Sequence, residues 1–333
     1  MTNETKFPKI MGIVNVTPDS FSEGGLYYDA SRAIEHALQL LDDGADILDI
    51  GGESSRSGAA EIPVNEELRR VIPVIEGILA ANAQAQVSID TVKYEVAEAA
   101  LRAGARIIND ISGLSHDVRL AALAGEYDAG LIIMHIQGTP RTMQQSPQYE
   151  DVVREVFEQL QQKIRLARSL GALKVMADVG IGFGKTAEHN WTLLKNLDYF
   201  QNLGVPTVLG LSRKSFLGKL LGIENSAERD VPTLIVHAVL PVLAANIIRV
   251  HNVEHDAAVI AGIGALDRVE GQAAGQGLAR QIGPNAGGGF LLPQIGEWTA
   301  HGHRGVHGQG RALAGHEGTA DRLRVKGDGR RVH

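Results

Sequence analysis

Residues 11–25 read Met-Gly-Ile-Val-Asn-Val-Thr-Pro-Asp-Ser-Phe-Ser-Glu-Gly-Gly. The apolar run ending at Asn15 is short and β-branched, which suits a buried strand. A polar, turn-rich loop follows, carrying Thr17, Asp19, Ser20 and Ser22 and closed by Gly24-Gly25. Strands that end in such loops are how a parallel α/β enzyme displays its site.

The pattern recurs along the chain. Strands are predicted over 10–15, 47–50, 87–90, 106–110, 130–135, 174–178, 207–211 and 246–250. Helical patterns lie between them at 29–43, 65–82, 93–103, 116–126, 149–170, 188–202, 229–245 and 255–269. The second places Leu68, Val71, Ile72, Ile75, Ile78 and Leu79 on one face, the spacing of an amphipathic helix. Gly-Ala pairs at 44–45, 104–105 and 171–172 close three helices just before the next strand, where glycine supplies a left-handed C-cap. Strict strand–helix alternation predicts an α/β fold, a closed (β/α)8 TIM barrel. No GxGxxG or Walker A sequence occurs, which argues against Rossmann and P-loop folds. Residues 1–270 form the catalytic domain. From 271 to 333 the chain is a Gly/His/Arg-rich tail with about a quarter glycine, against an average of about 7%. Its scattered His301, His303, His307 and His316 read as a solvated, disordered tail rather than a metal site.

Composition narrows the function. The 333-residue chain is 44% hydrophobic and 21% charged, ordinary for a soluble enzyme. A net charge of −7 gives no basic surface for nucleic acid, so an anionic substrate must find its cations locally. The absence of cysteine excludes disulfides, thiolate metal sites and a thiol nucleophile. No signal-peptide pattern and no membrane-length apolar run is seen, so a cytoplasmic location without membrane contact is expected.

The candidate chemistry sits at strand ends, which converge on one mouth in a barrel. Asp90, Asn109, Asp178 and Lys214 combine carboxylate acceptors, an amide and an ammonium donor, a set that suits a flat heterocycle with N–H donors and ring acceptors. Asn15, Arg56, Arg249 and His251 suit a polyphosphate, since arginine grips phosphate bidentately and asparagine offers a hard oxygen for Mg²⁺. Bland readings stand beside these. Asp49 either caps a turn or serves the site. His135 reads as a packed histidine rather than a base, and Asp110 as the holder of the Ile111-Ser112-Gly113 turn. Ser212-Arg213-Lys214-Ser215 follows an apolar run, which favours function over a solvated charge pair. Arg249 and His251 share a strand face by period two, favouring a common anion.

Residues 10–251 resemble the dihydropteroate synthase family. Residues 11–25 match its opening loop, and 51–59 match its GGES-[ST]-RPGA loop except that Ser57 replaces proline. Ser88-Ile89-Asp90-Thr91, Ile108-Asn109-Asp110, Met134-His135-Ile136-Gln137-Gly138, Gly182-Phe183-Gly184-Lys185, Ser212-Arg213-Lys214-Ser215 and Ile248-Arg249-Val250-His251 follow in order. The resemblance implies condensation of 6-hydroxymethyl-7,8-dihydropterin diphosphate with 4-aminobenzoate, releasing pyrophosphate, with Mg²⁺ as cofactor and a homodimer as the assembly. By that likeness Asp90, Asn109, Met134, Asp178, Phe183 and Lys214 hold the pterin. Asn15, Arg56, Arg249 and His251 hold the diphosphate, with Asn15 as metal ligand. Thr17, Asp19, Ser55, Arg56, Ser57, Phe183, Lys214 and Ser215 line the aminobenzoate pocket. Asp19, Arg56, Lys214, Arg249 and His251 form the catalytic set.

Departures leave other readings open. Val179 and Ile181 replace a proline and a phenylalanine of the family loop, and loss of the proline frees the backbone after Asp178. Ser57 frees the loop near aminobenzoate in the same way, which predicts altered discrimination against sulfonamides. Pro232 fits a first helical turn with Asp230 as N-cap, whereas Pro241 falls inside a helical pattern, at a cost of about 3 kcal/mol. The alternatives are a catalytically impaired pterin-binding protein and a pterin-dependent methyltransferase, which needs no diphosphate site.

Overall fold

The computed structural model describes residues 7–17, 26–56, 58–239 and 244–275. Asp19, Ser57, Pro241 and nearly all of the Gly-rich tail lie outside the described residues. Strands β1 (Lys9–Asn15), β2 (Ile47–Gly51), β3 (Val87–Asp90), β4 (Ile107–Asp110), β5 (Gly130–Met134), β6 (Lys174–Asp178), β7 (Thr207–Leu209) and β8 (Ile247–Val250) pair in parallel, in chain order, into a closed barrel. The barrel closes where β1 meets β8, with Met11 opposite Arg249.

Around it run α1 (Leu26–Asp42), α2 (Val64–Ala81), α3 (Tyr94–Ala103), α4 (Arg119–Glu126), α5 (Val152–Ser169), α6 (Ala187–Lys195), α7 (Ser215–Leu221), α8 (Asp230–Val239) and α9 (Val253–Gly275). Alternation of side chains along each strand divides the core in two. Leu48, Ile50, Val87, Ile89, Ile108, Leu131 and Ile133 point outward and pack against Val71, Val74, Ile75 and Ile78 of α2, Val96 of α3 and Leu120 of α4. Met11, Ile47, Ile132, Val208 and Ile247 point inward, with Ile107 and Met176, and plug the barrel axis. Among the described residues no helix is long and apolar enough to cross a membrane.

The predicted Gly-Ala turns are present. Gly44, Gly104 and Gly171 have φ of 106°, 114° and 111°. The amides of Ala45, Ala105 and Ala172 donate to Leu40, Ala100 and Ala167 carbonyls at 2.9, 2.9 and 3.0 Å, closing three helix ends alike.

Three readings change. The 188–202 pattern divides at Asn196 into α6 and a 3-10 turn, Leu197–Leu203. The unpredicted α7 occupies the stretch after Lys214. Asp230 is the first residue of α8 rather than its N-cap. Its carboxylate instead accepts Arg213 Nε at 2.5 Å and Nη2 at 2.7 Å, because a bidentate guanidinium is a stronger partner than a helix amide.

Candidate active site

Inward side chains recur every second residue on a strand, so the layer above the apolar plug is fixed by residue number. It comprises Ile13, Asp49, Ser88, Asn109, Met134, Asp178 and Arg249, with Gly210 just beyond β7 and Asp90 at the end of β3. Register places Asp49 beside Ser88, Asp90 beside Asn109 and Met134 beside Asp178. The sequence thus turns from apolar to polar at one level on most strands, with Ile13, Met134 and Gly210 as the exceptions.

One half of this ring is a charge network. Arg249 donates from Nε to Asp49 Oδ2 at 2.6 Å and from Nη2 to Asp90 Oδ2 at 2.7 Å. Asn109 Nδ2 donates to the same Asp49 oxygen at 2.9 Å. Asp49 is fully buried, and its Oδ1 has no partner among the described residues. Burial pushes the Asp90 carboxyl up, against the pull of Arg249. Burial likewise works against the Arg249 charge, but Asp49 and Asp90 more than offset it. Asp49, left even between turn and site by sequence, is the hub that joins β2, β4 and β8.

The other half is a wall. Met134, Met143 and Phe183 form a small apolar cluster with Ile111 and Ile136. Lys214 Nζ stands 4.0 Å over the Phe183 ring, a cation–π contact. Burial lowers the Lys214 pKa to about 8, with Asp178 opposing. Asp178 accepts Gly180 N–H at 2.7 Å, and burial raises its carboxyl. Gly210 presents no side chain to its side of the ring, where a Cβ would touch Asp178 Oδ2 at 3.5 Å.

His251 and Arg249 do not act as twin cations. Ser212 Oγ and His251 Nδ1 are 3.0 Å apart, and the His251 amide donates to the same hydroxyl at 3.1 Å. Burial, reinforced by Arg213 and Arg249, pulls His251 down to about 3, so it is neutral at pH 7. His135 is the packed histidine expected, its Nδ1 2.9 Å from Lys185 Nζ. Asp110 holds its turn, accepting Ser112 N at 2.8 Å and Leu114 N at 2.6 Å.

The loops place the remaining candidates at the rim. Thr17 and Ser55 are half-buried, while Arg56 and Ser215 are exposed. A cleft of about 350 Å³ opens between Ser54, Ser55, Asp90, Ile111, Ile136 and Arg141. Beneath it Lys93, which sequence reasoning missed, donates to Glu53, to Glu67 Oε2 at 2.6 Å and to Ile62 O at 2.8 Å. That cluster roots the loop bearing Ser55 and Arg56. Only its position just before a helix, after Asp90-Thr91, could have signalled it.

A parallel barrel with a ring of carboxylates, an amide and a lysine beside an apolar wall is a barrel enzyme cut for a flat, hydrogen-bonding heterocycle. Comparison with known proteins specifies which. The chain belongs to the pterin binding enzyme family, which matches residues 11–251, and within it to the dihydropteroate synthases. It is 44% identical over 249 residues to the dihydropteroate synthase of Escherichia coli (strain K12), covering 74% of this chain and 87% of that one. The Yersinia pestis dihydropteroate synthase, solved with a sulfonamide drug complex, superposes with a TM-score of 0.74 at 37% identity, over 80% of this chain and 97% of that one. The Xanthomonas albilineans dihydropteroate synthase in complex with 7,8-dihydropteroate gives 0.70 at 39% identity, over 79% and 95%. The chain is a transferase of folate biosynthesis that forms a C–N bond. Among the weighed alternatives, the methyltransferase gains no support from these matches.

Proposed function

We propose that the two halves of the ring divide the substrate between them. The carrying observation is the Asp49–Arg249–Asp90 network standing opposite the Phe183–Lys214 wall. Asp90, Asn109, Asp178 and Lys214 meet the donors and acceptors of the pterin, and Met134 and Phe183 cover its faces. Arg249, Asn15 and His251 receive the diphosphate, with Arg56 reaching in from its exposed loop. Aminobenzoate takes the rim among Thr17, Ser55, Arg56, Phe183, Lys214 and Ser215; Ser57 and Asp19, outside the described residues, are assigned to it by the family resemblance alone.

The hard oxygen of Asn15 is the donor type that would suit a divalent cation. Gly51 has no side chain, and a Cβ on it would lie 3.8 Å from Asn15 Oδ1 and 3.7 Å from Asp90 Oδ2. Asn15 and Asp90 thus both pass close to Gly51, where Asp90 Oδ2 already accepts Arg249 Nη2 at 2.7 Å. Mg²⁺ is commonly held by one or two protein oxygens plus substrate phosphates. Asn15, with Asp90 beside it, would hold Mg²⁺, which when bound supplies charge stabilisation for the departing diphosphate.

The chain's own groups do the rest. The methylene C–O bond breaks as pyrophosphate leaves, and Arg249 stabilises the charge that develops there. The arylamine nitrogen then forms the new C–N bond and sheds one proton. It is neutral at pH 7 and needs no strong base, which agrees with His135 being enclosed by Lys185 and His251 being held by Ser212.

A homodimer is the assembly proposed. Val231, Ile235 and Val239 recur every four residues on α8 and are 61%, 56% and 73% exposed, an apolar stripe that a second copy would cover. Light scattering should give twice the chain mass for the wild type and a monomer for Ile235→Glu; a monomeric wild type refutes the pairing. A cytoplasmic location completes the reading. The activity itself is tested by pyrophosphate release that depends on 4-aminobenzoate.

A further inference from the structure

The β6–α6 loop is pinned by a buried cation that the chemistry of the reaction does not require. Lys185 is 2% exposed. Its Nζ lies 2.9 Å from each of His135 Nδ1, Gly180 O and Phe183 O, and 3.3 Å from His135 O. An ammonium has three N–H donors and no lone pair, so three acceptors at 2.9 Å use it fully. Burial lowers the Lys185 pKa to about 7, Asp178 pulling the other way. A cation so enclosed is tolerated only with a complete set of partners.

The partners all belong to one loop and the strand end beneath it. Gly180, Gly182 and Gly184 take φ of 68°, 84° and 63°. A Cβ on Gly180 would stand 1.9 Å from His135 O, and one on Gly184 2.4 Å from Gln137 O. The loop backbone therefore lies directly on residues 135–137, just past β5. Tyr149 Oη donates to Gly184 O at 2.8 Å and Gln144 Nε2 to Gly182 O at 2.9 Å, so the outer side is tied down too. Two of the carbonyls that Lys185 gathers are decisive. Gly180 is the residue whose amide fixes Asp178 Oδ1 at 2.7 Å. Phe183 is the residue whose ring faces Lys214 at 4.0 Å.

We propose that Lys185 is a positioning residue that folds the β6–α6 loop so that Asp178 and Phe183 meet the pterin at a fixed separation. This rests on the assignment of those two residues to the pterin. It also accounts for how the loop keeps its aim without the proline of the family pattern. Val179 in that place is 1% exposed and packs in the core, while the lysine cage supplies the restraint that a fixed proline φ would otherwise provide.

The test is calorimetric binding of 6-hydroxymethyl-7,8-dihydropterin to full-length wild type and Lys185→Met, with thermal melting of both. Loss of positioning of this kind should weaken pterin binding about tenfold or more. The KM for 4-aminobenzoate at saturating pterin diphosphate should rise by less than the pterin Kd, because Phe183 serves both sites whereas Asp178 serves the pterin alone. A lysine with a merely structural role would lower the melting temperature and leave the pterin affinity of the folded protein unchanged, which would overturn the proposal. Should Lys185→Met fail to fold, Tyr149→Phe loosens the same loop at Gly184 without stranding a charge. Weaker pterin binding is then expected, and wild-type pterin affinity overturns the proposal. No pterin binding by the wild type itself would instead overturn the pterin assignment on which the proposal stands.

Discussion

Asp49→Asn removes one charge from the centre of the ring and keeps the side-chain volume. Asp49 Oδ2 receives both Arg249 Nε at 2.6 Å and Asn109 Nδ2 at 2.9 Å. Asparagine can still offer an oxygen, but its amide and lost charge leave Arg249 with Asp90 alone as an ionic partner, at 2.7 Å. A hydrogen bond to a charged group contributes about 1.5–3 kcal/mol. If that aim of Arg249 matters where charge develops on the leaving diphosphate, kcat/KM should fall about 10- to 150-fold, at about 1.4 kcal/mol per tenfold. Pyrophosphate release at saturating 4-aminobenzoate measures it, with a melting curve to show that the variant is folded. The KM for aminobenzoate, bound at the rim, should change little. A folded Asp49→Asn protein with kcat/KM within about twofold of wild type would refute the reasoning.

Lys214 gives a pH prediction. Burial brings its pKa down to about 8, so the ammonium is lost as pH rises through that value, and pterin affinity should decline above it. Lys214→Arg, which stays charged, should lack that alkaline decline; a wild-type affinity flat across it contradicts the assignment. Lys93→Met would leave Glu67, 1% exposed, without its counter-charge, at a cost of about 3–5 kcal/mol in urea unfolding. It should also raise the KM for aminobenzoate by loosening the Arg56 loop; an unchanged unfolding midpoint counts against the clamp.

The barrel was legible because each strand is a short apolar run closed by a turn signal, and Gly44, Gly104 and Gly171 punctuate it where a left-handed residue is required. The short α7 was missed because Ser-Phe-Leu-Gly-Lys-Leu-Leu is only seven residues long with Gly218 inside it, too little to show a helical period. Candidate site residues were legible as types at strand ends, since strand ends converge in a barrel. Their partners were not. Arg249 and Asp49 are 200 residues apart, Lys185 and His135 are 50 apart, and no local pattern records such pairs. The same blindness made Asp230 look like a helix cap, because its competitor Arg213 lies on another loop. It also made Arg249 and His251 look like equals, although one is paired with carboxylates and the other is held neutral beside Ser212.

The most direct test of the account is pyrophosphate release from 6-hydroxymethyl-7,8-dihydropterin diphosphate by the purified chain with Mg²⁺, measured with and without 4-aminobenzoate. The account predicts release that depends on aminobenzoate and matches the dihydropteroate formed. Pterin binding without such turnover would contradict it and leave a binding protein on a synthase barrel.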